Sequence, residues 1–254
     1  MRMHWLSAGP LTLAAAFLCA GPVHCAWSEA LPQTASNIAL ESMPPENRGD
    51  LYMARGEYVQ AVDAYRHVSP MSAIAWNKLG IAWHHLYAVD EAKRDYERAL
   101  LIRPNYPEAI NNLGAAYFEQ RDYKKAIKLY RHALKLMPQS AVVAANLGTA
   151  YFARGKYKRG IEAYRTAFEL DPSVFSDQAT TVRGGTAAAD RAQQDYCLAE
   201  LFAQAGMKES AIDYLRRAFN EGFHDRNRLM QDAVFAQLRK TADFAHLMAE
   251  EKLR

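Results

Sequence analysis

The sequence predicts an all-α protein made of stacked pairs of helices. Two stretches are nearly the same: "NNLGAAYFEQRDYKKAIKLYRHALKLMP" at residues 111–138 and "ANLGTAYFARGKYKRGIEAYRTAFELDP" at residues 145–172, with Asn112 and Asn146 separated by 34 residues. Within each stretch the apolar residues recur at helical spacing, and a proline ends the second helical segment. A unit of this length buries its apolar face only against neighbouring copies, so we expect the copies to stack.

The 34-residue unit occurs three times without gaps, in the windows 73–106, 107–140 and 141–174. Small residues, large residues and a closing proline recur at matching positions: Gly80, Gly114, Gly148; Ala92, Ala126, Gly160; Ala99, Ala133, Ala167; Leu79, Leu113, Leu147; Trp83, Tyr117, Tyr151; Tyr96, Tyr130, Tyr164; Pro104, Pro138, Pro172. Helical spacing places the small and large residues on facing sides of two helices, so the helices can approach closely.

This pattern of Leu-Gly, Tyr, Ala, Tyr, Ala and Pro resembles the tetratricopeptide repeat family, in an exported bacterial form. The resemblance implies an all-α, right-handed α-solenoid of antiparallel helix pairs. One position departs from the pattern, because Gly160 stands where alanine is usual, at a cost of roughly 1 kcal/mol in helix propensity. Degenerate copies extend the array to residues 46–225: a truncated opening repeat at 46–72 and a further repeat at 192–225 without the closing proline.

The N-terminal segment has the layout of a secretory signal peptide, predicted at residues 1–26. Arg2 precedes an apolar run at 11–20, which Gly21-Pro22 breaks before a stretch of small residues. A run this short favours a cleaved signal over the alternative, an uncleaved membrane anchor, since a spanning helix needs about 20 apolar residues. Cleavage after Cys25, Ala26 or Ala30 is compatible with the sequence. We therefore expect an exported protein, periplasmic or extracellular, with a linker at 27–45.

Two further segments flank or interrupt the array. Residues 175–188 contain Gly184-Gly185 without apolar periodicity and are predicted as a flexible loop, either disordered or functional. Residues 226–254 are predicted as a helical cap for the exposed end of the stack. Cys197 lies among apolar residues, which favours a buried small side chain over a reactive thiol.

The sequence offers no pattern for catalysis or for binding a cofactor. It contains no Gly-x-Ser-x-Gly, His-Glu-x-x-His or Cys-x-x-Cys motif. His84 and His85 are adjacent on a helix, so their side chains diverge by about 100° and cannot grip one metal ion together. A net charge of +3 does not suggest nucleic acid. We predict no catalytic residue, no metal and no cofactor, and leave the oligomeric state open.

In the tetratricopeptide family the first helix of each pair lines a concave groove. Carrying this over by repeat position gives the following partner-binding residues: Asn77, Ile81 and His84; Asn111, Asn112, Phe118 and Glu119; Asn146, Thr149 and Phe152. The asparagine amides suit the main chain of an extended peptide, and local capping or helix-to-helix bonding is their alternative role. Phe118 and Phe152 are expected to form apolar pockets one repeat apart.

The second helices carry a basic ridge, formed by Lys124, Lys125, Lys128 and Arg131 on one helix and by Lys156, Lys158, Arg159 and Arg165 on the next. The ridge is either an ordinary solvated surface or a contact for an acidic partner or an anionic membrane surface. The predicted function is a non-enzymatic scaffold or assembly factor that binds a peptide or protein. The alternative is a regulatory or substrate-presenting subunit of an envelope enzyme or of a secretion or assembly machine.

Overall fold

The computed structural model describes residues 40–175 and 187–252 of the chain, which divides into the units Met1–Met43 and Pro44–Arg254. In the first unit, described only at residues 40–43, the Met43 N–H donates to the Leu40 carbonyl at 3.2 Å. The predicted signal peptide 1–26, residues 27–39 of the predicted linker and residues 176–186 of the predicted loop lie outside the described residues.

The described part of the second unit is helical and contains no strand. Its α-helices, in chain order, are α1 (Pro45–Ala54), α2 (Tyr58–Arg66), α3 (Ala73–His85), α4 (Val89–Ile102), α5 (Pro107–Glu119), α6 (Tyr123–Leu136), α7 (Ala141–Phe152), α8 (Tyr157–Leu170), α9 (Ala188–Gln204), α10 (Lys208–Asn220), α11 (Arg226–Gln231) and α12 (Ala242–Lys252). Short 3-10 helices lie at Pro172–Phe175, Ala233–Phe235 and Leu238–Lys240.

The helices from α1 to α10 form five antiparallel pairs. Contacts are most extensive within a pair, such as α3 with α4 or α7 with α8. The second helix of one pair also contacts the first helix of the next pair, as α4 contacts α5, but α8 and α9 make few contacts with each other. The predicted fold class, an all-α solenoid of paired helices, is therefore confirmed.

In the first four pairs, a glycine on the first helix packs against a tyrosine 16 residues later on the second helix. A Cβ atom added to Gly114 would lie 2.7 Å from the ring of Tyr130, and the same contact recurs at 2.5 Å between Gly80 and Tyr96. Carbon atoms do not approach so closely, so only glycine lets the buried tyrosine ring rest against the first helix.

The opening repeat, predicted as truncated at 46–72, consists of two helices, α1 and α2. Its glycine is Gly49, where an added Cβ would lie 2.4 Å from the ring of Tyr65. Gly49 precedes Gly80 by 31 residues rather than 34, because α2 has only 9 residues where α4 has 14. A search at a fixed spacing of 34 therefore misses it.

The turn inside each pair places one residue in the left-handed region of backbone space. The residues are Gly56 (φ 73°), Tyr87 (φ 59°), Arg121 (φ 61°), Gly155 (φ 66°) and Gly206 (φ 76°). Each turn also contains a hydrogen bond that spans five residues, as from the Ala88 N–H to the Trp83 carbonyl at 3.0 Å. This is the Schellman pattern of helix termination.

The C-terminal tail packs against the last helix pair. Its apolar residues are buried: Leu229, Phe235, Leu238, Phe244 and Leu247. They join one apolar cluster with residues of α9 and α10. Cys197 lies in the same cluster, and burial raises the pKa of its thiol to about 12, so it is a core residue rather than a nucleophile.

Candidate partner-binding surface of the first helices

The ten predicted partner-binding residues lie on three successive first helices, α3, α5 and α7. Half of them are buried: Asn77, Phe118, Asn146, Thr149 and Phe152. Ile81, His84, Asn111 and Asn112 are half-buried, and Glu119 is exposed. The accessible part of the predicted surface is therefore concentrated on α3 and α5.

The asparagines form a continuous ladder of side-chain hydrogen bonds across the three helices. The Asn146 amide donates to the Asn111 carbonyl oxygen at 3.1 Å, and the Asn112 amide donates to that of Asn77 at 3.0 Å. Between these two rungs, the Asn111 amide donates to the Asn112 oxygen at 3.2 Å. The asparagines thus bond helix to helix, which was the alternative role that the sequence left open.

The ladder does not use the full bonding capacity of its members. An amide side chain offers two N–H donors and an oxygen that accepts two hydrogen bonds. Asn111 and Asn112 are half-buried, so part of each amide reaches the surface. The ladder holds both side chains in fixed positions on α5. The two side chains therefore lose less conformational entropy when a partner's main chain binds them.

Phe118 and Phe152 have no exposed surface, which differs from their expected place in apolar pockets of the groove. Each follows a helix-packing glycine by four residues, so it shares the face of Gly114 or Gly148 that turns toward the paired helix. The Phe152 ring lies over Gly160, where an added Cβ would come within 2.7 Å of it. This contact explains the glycine at the position where the repeat usually has alanine.

His84 links the first full repeat to the second. Its Nε2 lies 2.8 Å from Glu119 Oε1, and its Nδ1 lies 3.3 Å from the Tyr96 hydroxyl. His85 points elsewhere and stacks on Tyr58 with 4.4 Å between ring centroids. The two histidines therefore diverge, and the described residues contain no group of three side chains suited to a metal ion.

We call Asn77, His84, Asn111, Asn112 and Glu119 the polar strip. Asn77 and His84 are seven residues apart, as are Asn112 and Glu119, so each pair lies on one face of its helix. Rungs from Asn112 to Asn77 and from His84 to Glu119 join the two faces.

The polar strip ends in an ionic network that the sequence did not suggest. Lys78 occupies the repeat position of Asn112 and Asn146, and its Nζ lies 2.7 Å from Asp50 and 2.9 Å from Glu46 of α1. The Tyr65 hydroxyl donates to Asp50 at 2.7 Å. The repeat position that Lys78 shares with Asn112 and Asn146 could have indicated that it lies beside the polar strip. Its partners Asp50 and Glu46 could not be aligned by repeat position, because the opening repeat has a different spacing.

The recurring tyrosine also sends its hydroxyl toward the first helix. In the third full repeat, the Tyr164 hydroxyl lies 2.9 Å from that of Thr149, which donates to the Ala145 carbonyl or to Tyr164. In the second, Ala115 stands at the position of Thr149, and the buried Tyr130 hydroxyl has no hydrogen-bond partner among the described residues. The tyrosine ring thus packs against the first helix in the same way in these repeats, whereas the hydrogen bonding of its hydroxyl differs between them.

No helix within residues 40–175 and 187–252 is both long and apolar enough to cross a membrane. No curated protein matches the chain. Solved structures with the same fold include PilF of Pseudomonas aeruginosa, which is 20% identical with a TM-score of 0.54, over 86% of this chain and 91% of that one. A structure of MamA AMB-1 is 21% identical with a TM-score of 0.50, over 70% of this chain and 98% of the other. These identities establish the fold alone.

Profiles of the tetratricopeptide repeat match residues 46–107, 107–140 and 141–174. The last two ranges coincide with the windows read from the sequence. Together the matches run without a gap from residue 46 to residue 174, just over half of the 254 residues. The chain therefore belongs to the tetratricopeptide repeat family.

Proposed function

We propose that this protein is a non-enzymatic scaffold or assembly factor that binds an extended peptide or a partner protein along the polar strip. Tetratricopeptide repeats bind protein partners and are generally non-enzymatic. The observation that carries the proposal is the asparagine ladder. It crosses two repeat boundaries and holds the half-buried amides of Asn111 and Asn112 in fixed positions on α5. Amides bond a peptide main chain whatever its sequence, which suits an extended segment.

We also propose that the protein works outside the cytoplasm, after removal of residues 1–26. The support is the layout of the N-terminal segment, with one cation, a short apolar run and a Gly-Pro break. N-terminal sequencing of the native protein should find a start between residues 26 and 31. A soluble native protein that begins at Met1 or Arg2 would contradict export.

The partner can be isolated with the mature protein as bait in an envelope fraction, followed by mass spectrometry. Recovery of envelope or secretion components would support a scaffold or assembly factor. Recovery of a hydrolase or transferase would favour the regulatory or substrate-presenting subunit instead.

The binding surface is tested with Asn111→Ala combined with Asn112→Ala. Each lost bond to a desolvated peptide group costs roughly 1 kcal/mol, so the affinity for the recovered partner should fall at least tenfold. Calorimetry measures the affinity, and circular dichroism verifies that the variant is folded at the assay temperature.

The matched control is Gln139→Ala combined with Gln204→Ala, which removes two exposed amides away from the polar strip. The control should bind like the unaltered protein. Equal affinity for the two double variants would show that the partner does not bind the polar strip.

A further inference from the structure

Charge is unevenly distributed along the chain. Residues 123–161 contain nine Lys and Arg residues and no Asp or Glu, whereas the rest of the chain has 22 Lys and Arg against 28 Asp and Glu. A net charge of only +3 therefore conceals a strongly basic segment in an otherwise acidic protein. The basic segment covers α6, α7 and the start of α8.

The fold gathers most of these cations around one recess, which we call the basic cleft. Helix α6 contributes cationic side chains one turn apart: Lys124, Lys128, Arg131 and Lys135. The end of α7 and the start of α8 contribute Arg154, Lys156 and Arg159. The cleft has a volume of about 500 Å³, and none of the residues that line it belongs to the polar strip.

Among the described residues, no carboxylate lies within salt-bridge distance of these seven Lys and Arg side chains. Elsewhere cations are commonly paired, as Lys78 is with Asp50, Arg191 with Glu221 at 2.6 Å and Arg228 with Glu200 at 3.2 Å. Even Lys125, which does not line the cleft, pairs with Asp122 at 3.0 Å. The cleft therefore concentrates positive charge that the described part of the chain does not neutralise, which attracts an anionic partner.

Apolar side chains line the cleft beside the cations, and we call them its apolar floor. They belong to Ile127, Leu129 and Tyr151, and the Arg159 guanidinium is 5.9 Å from the Tyr151 ring centroid. A recess with an apolar floor and a cationic rim fits a polypeptide segment that carries an apolar side chain among carboxylates.

Other polyanions fit this shape less well. Nucleic-acid surfaces without sequence preference combine cations with several aromatic rings on which successive bases stack. The lining of the cleft contains one tyrosine ring, that of Tyr151, and the Arg159 guanidinium lies over it. An anionic membrane surface attracts cations by its charge, which gives no role to the apolar side chains of the cleft.

We infer that the basic cleft is a second docking surface, which binds an acidic segment of a partner protein through its cationic rim and apolar floor. This surface is separate from the polar strip. The two sites would let one molecule of the scaffold hold two partners, or two segments of one partner, at separate surfaces.

The test uses a fluorescein-labelled peptide of six glutamates around two leucines, with binding followed by fluorescence anisotropy. The variant Lys128→Gln, Arg131→Gln, Arg159→Gln removes three rim cations and should weaken binding at least tenfold. A peptide of eight glutamates should bind more weakly than the leucine-containing peptide, because it has nothing to place on the apolar floor. Added salt should weaken both complexes by screening.

The matched control is Arg55→Gln, Lys208→Gln, Lys240→Gln, which removes three exposed cations outside the cleft. It changes the net charge by the same amount and should change the affinity less than threefold. The Asn111→Ala, Asn112→Ala variant should bind the peptide like the unaltered protein, which separates this proposal from the one for the polar strip.

Three results would overturn the inference. The first is equal weakening by the cleft variant and its control, which indicates attraction by net charge alone. The second is failure of the unaltered protein to bind the peptide. The third is failure with the peptide while phosphatidylglycerol vesicles or a labelled oligothymidylate bind and lose binding in the cleft variant, which assigns the cleft to a membrane or a nucleic acid.

Discussion

At the scale of single residues, Glu200 on α9 is a carboxylate held in an unfavourable environment for its charge. Its carboxylate is largely buried, with 19% of the side chain exposed, and lies 3.2 Å from the Arg228 guanidinium of the tail. Burial, aided by a hydrogen bond with Asp232, raises the pKa of Glu200 to about 7 despite the arginine. The tail thus meets the array through a carboxyl group that titrates near neutral pH.

This raised pKa makes stability depend on pH. In the unfolded chain Glu200 ionises near its ordinary pKa of 4.5, so between about pH 4.5 and pH 7 the folded state binds more protons. The free energy of unfolding should therefore fall as pH rises through this window, and the loss should be complete above about pH 7. Asp95, whose pKa burial raises to about 6, contributes in the same direction.

The test is Glu200→Gln, with the free energy of unfolding measured by urea denaturation at several pH values. The unaltered protein should lose on the order of 2 kcal/mol more than the variant between about pH 5 and pH 8. Glu209→Gln, which removes an exposed carboxylate from α10, should retain the pH dependence of the unaltered protein. Parallel curves for the unaltered protein and Glu200→Gln would show that Glu200 does not titrate in this range.

At the scale of elements, the turn between paired helices has the same backbone conformation in all five pairs, but the residue type at its left-handed position differs. Three turns use glycine in the left-handed conformation, whereas Tyr87 and Arg121 adopt it with a Cβ atom. That conformation costs a residue with a Cβ about 1–2 kcal/mol. The repeat geometry requires the left-handed conformation in every turn. The turns that contain Tyr87 and Arg121 therefore lower the stability of the folded state.

Tyr87→Gly should therefore stabilise the protein. The Tyr87 side chain is 90% exposed, so its removal loses little packing, and relief of the backbone strain outweighs the greater freedom of glycine in the unfolded chain. We expect a gain of about 0.5–1 kcal/mol in the free energy of unfolding, measured by chemical denaturation.

The reverse change, Gly155→Ala, is the matched control for the turn. A Cβ at Gly155 would meet no atom within 4 Å, so the substitution introduces the backbone strain without a clash. It should lower stability by about 1 kcal/mol. A less stable Tyr87→Gly together with an unaffected Gly155→Ala would mean that the left-handed conformation does not limit stability.

At the scale of the whole molecule, the repeat register could be predicted because it depends on local rules. Gly114 contacts Tyr130, and Gly148 contacts Tyr164 in the next repeat, with the same spacing in the sequence. Each glycine–tyrosine pair therefore marks one contact between paired helices. The opening repeat was harder to predict, because Gly49 follows a different spacing that only a shortened α2 explains.

The candidate site was predicted less completely than the fold. Phe152 was assigned to the groove from the general role of first helices, although its place four residues after Gly148 indicates the interior of the pair. The bond from Asn146 to Asn111 depends on how neighbouring helices approach, which repeat position alone does not specify. The basic cleft depends on the same approach, because its two rows of cations come from different repeats.

The asparagine ladder has a consequence for how the array comes apart. In a linear stack each unit normally contacts only its neighbours, so local opening can begin at any boundary. Asn111 holds Asn146 on one side and, through Asn112, Asn77 on the other. When the middle repeat opens, bonds at both of its boundaries break together. We therefore expect the ladder to couple the opening of the three full repeats, while the last repeat, which contributes no asparagine to it, can fray independently.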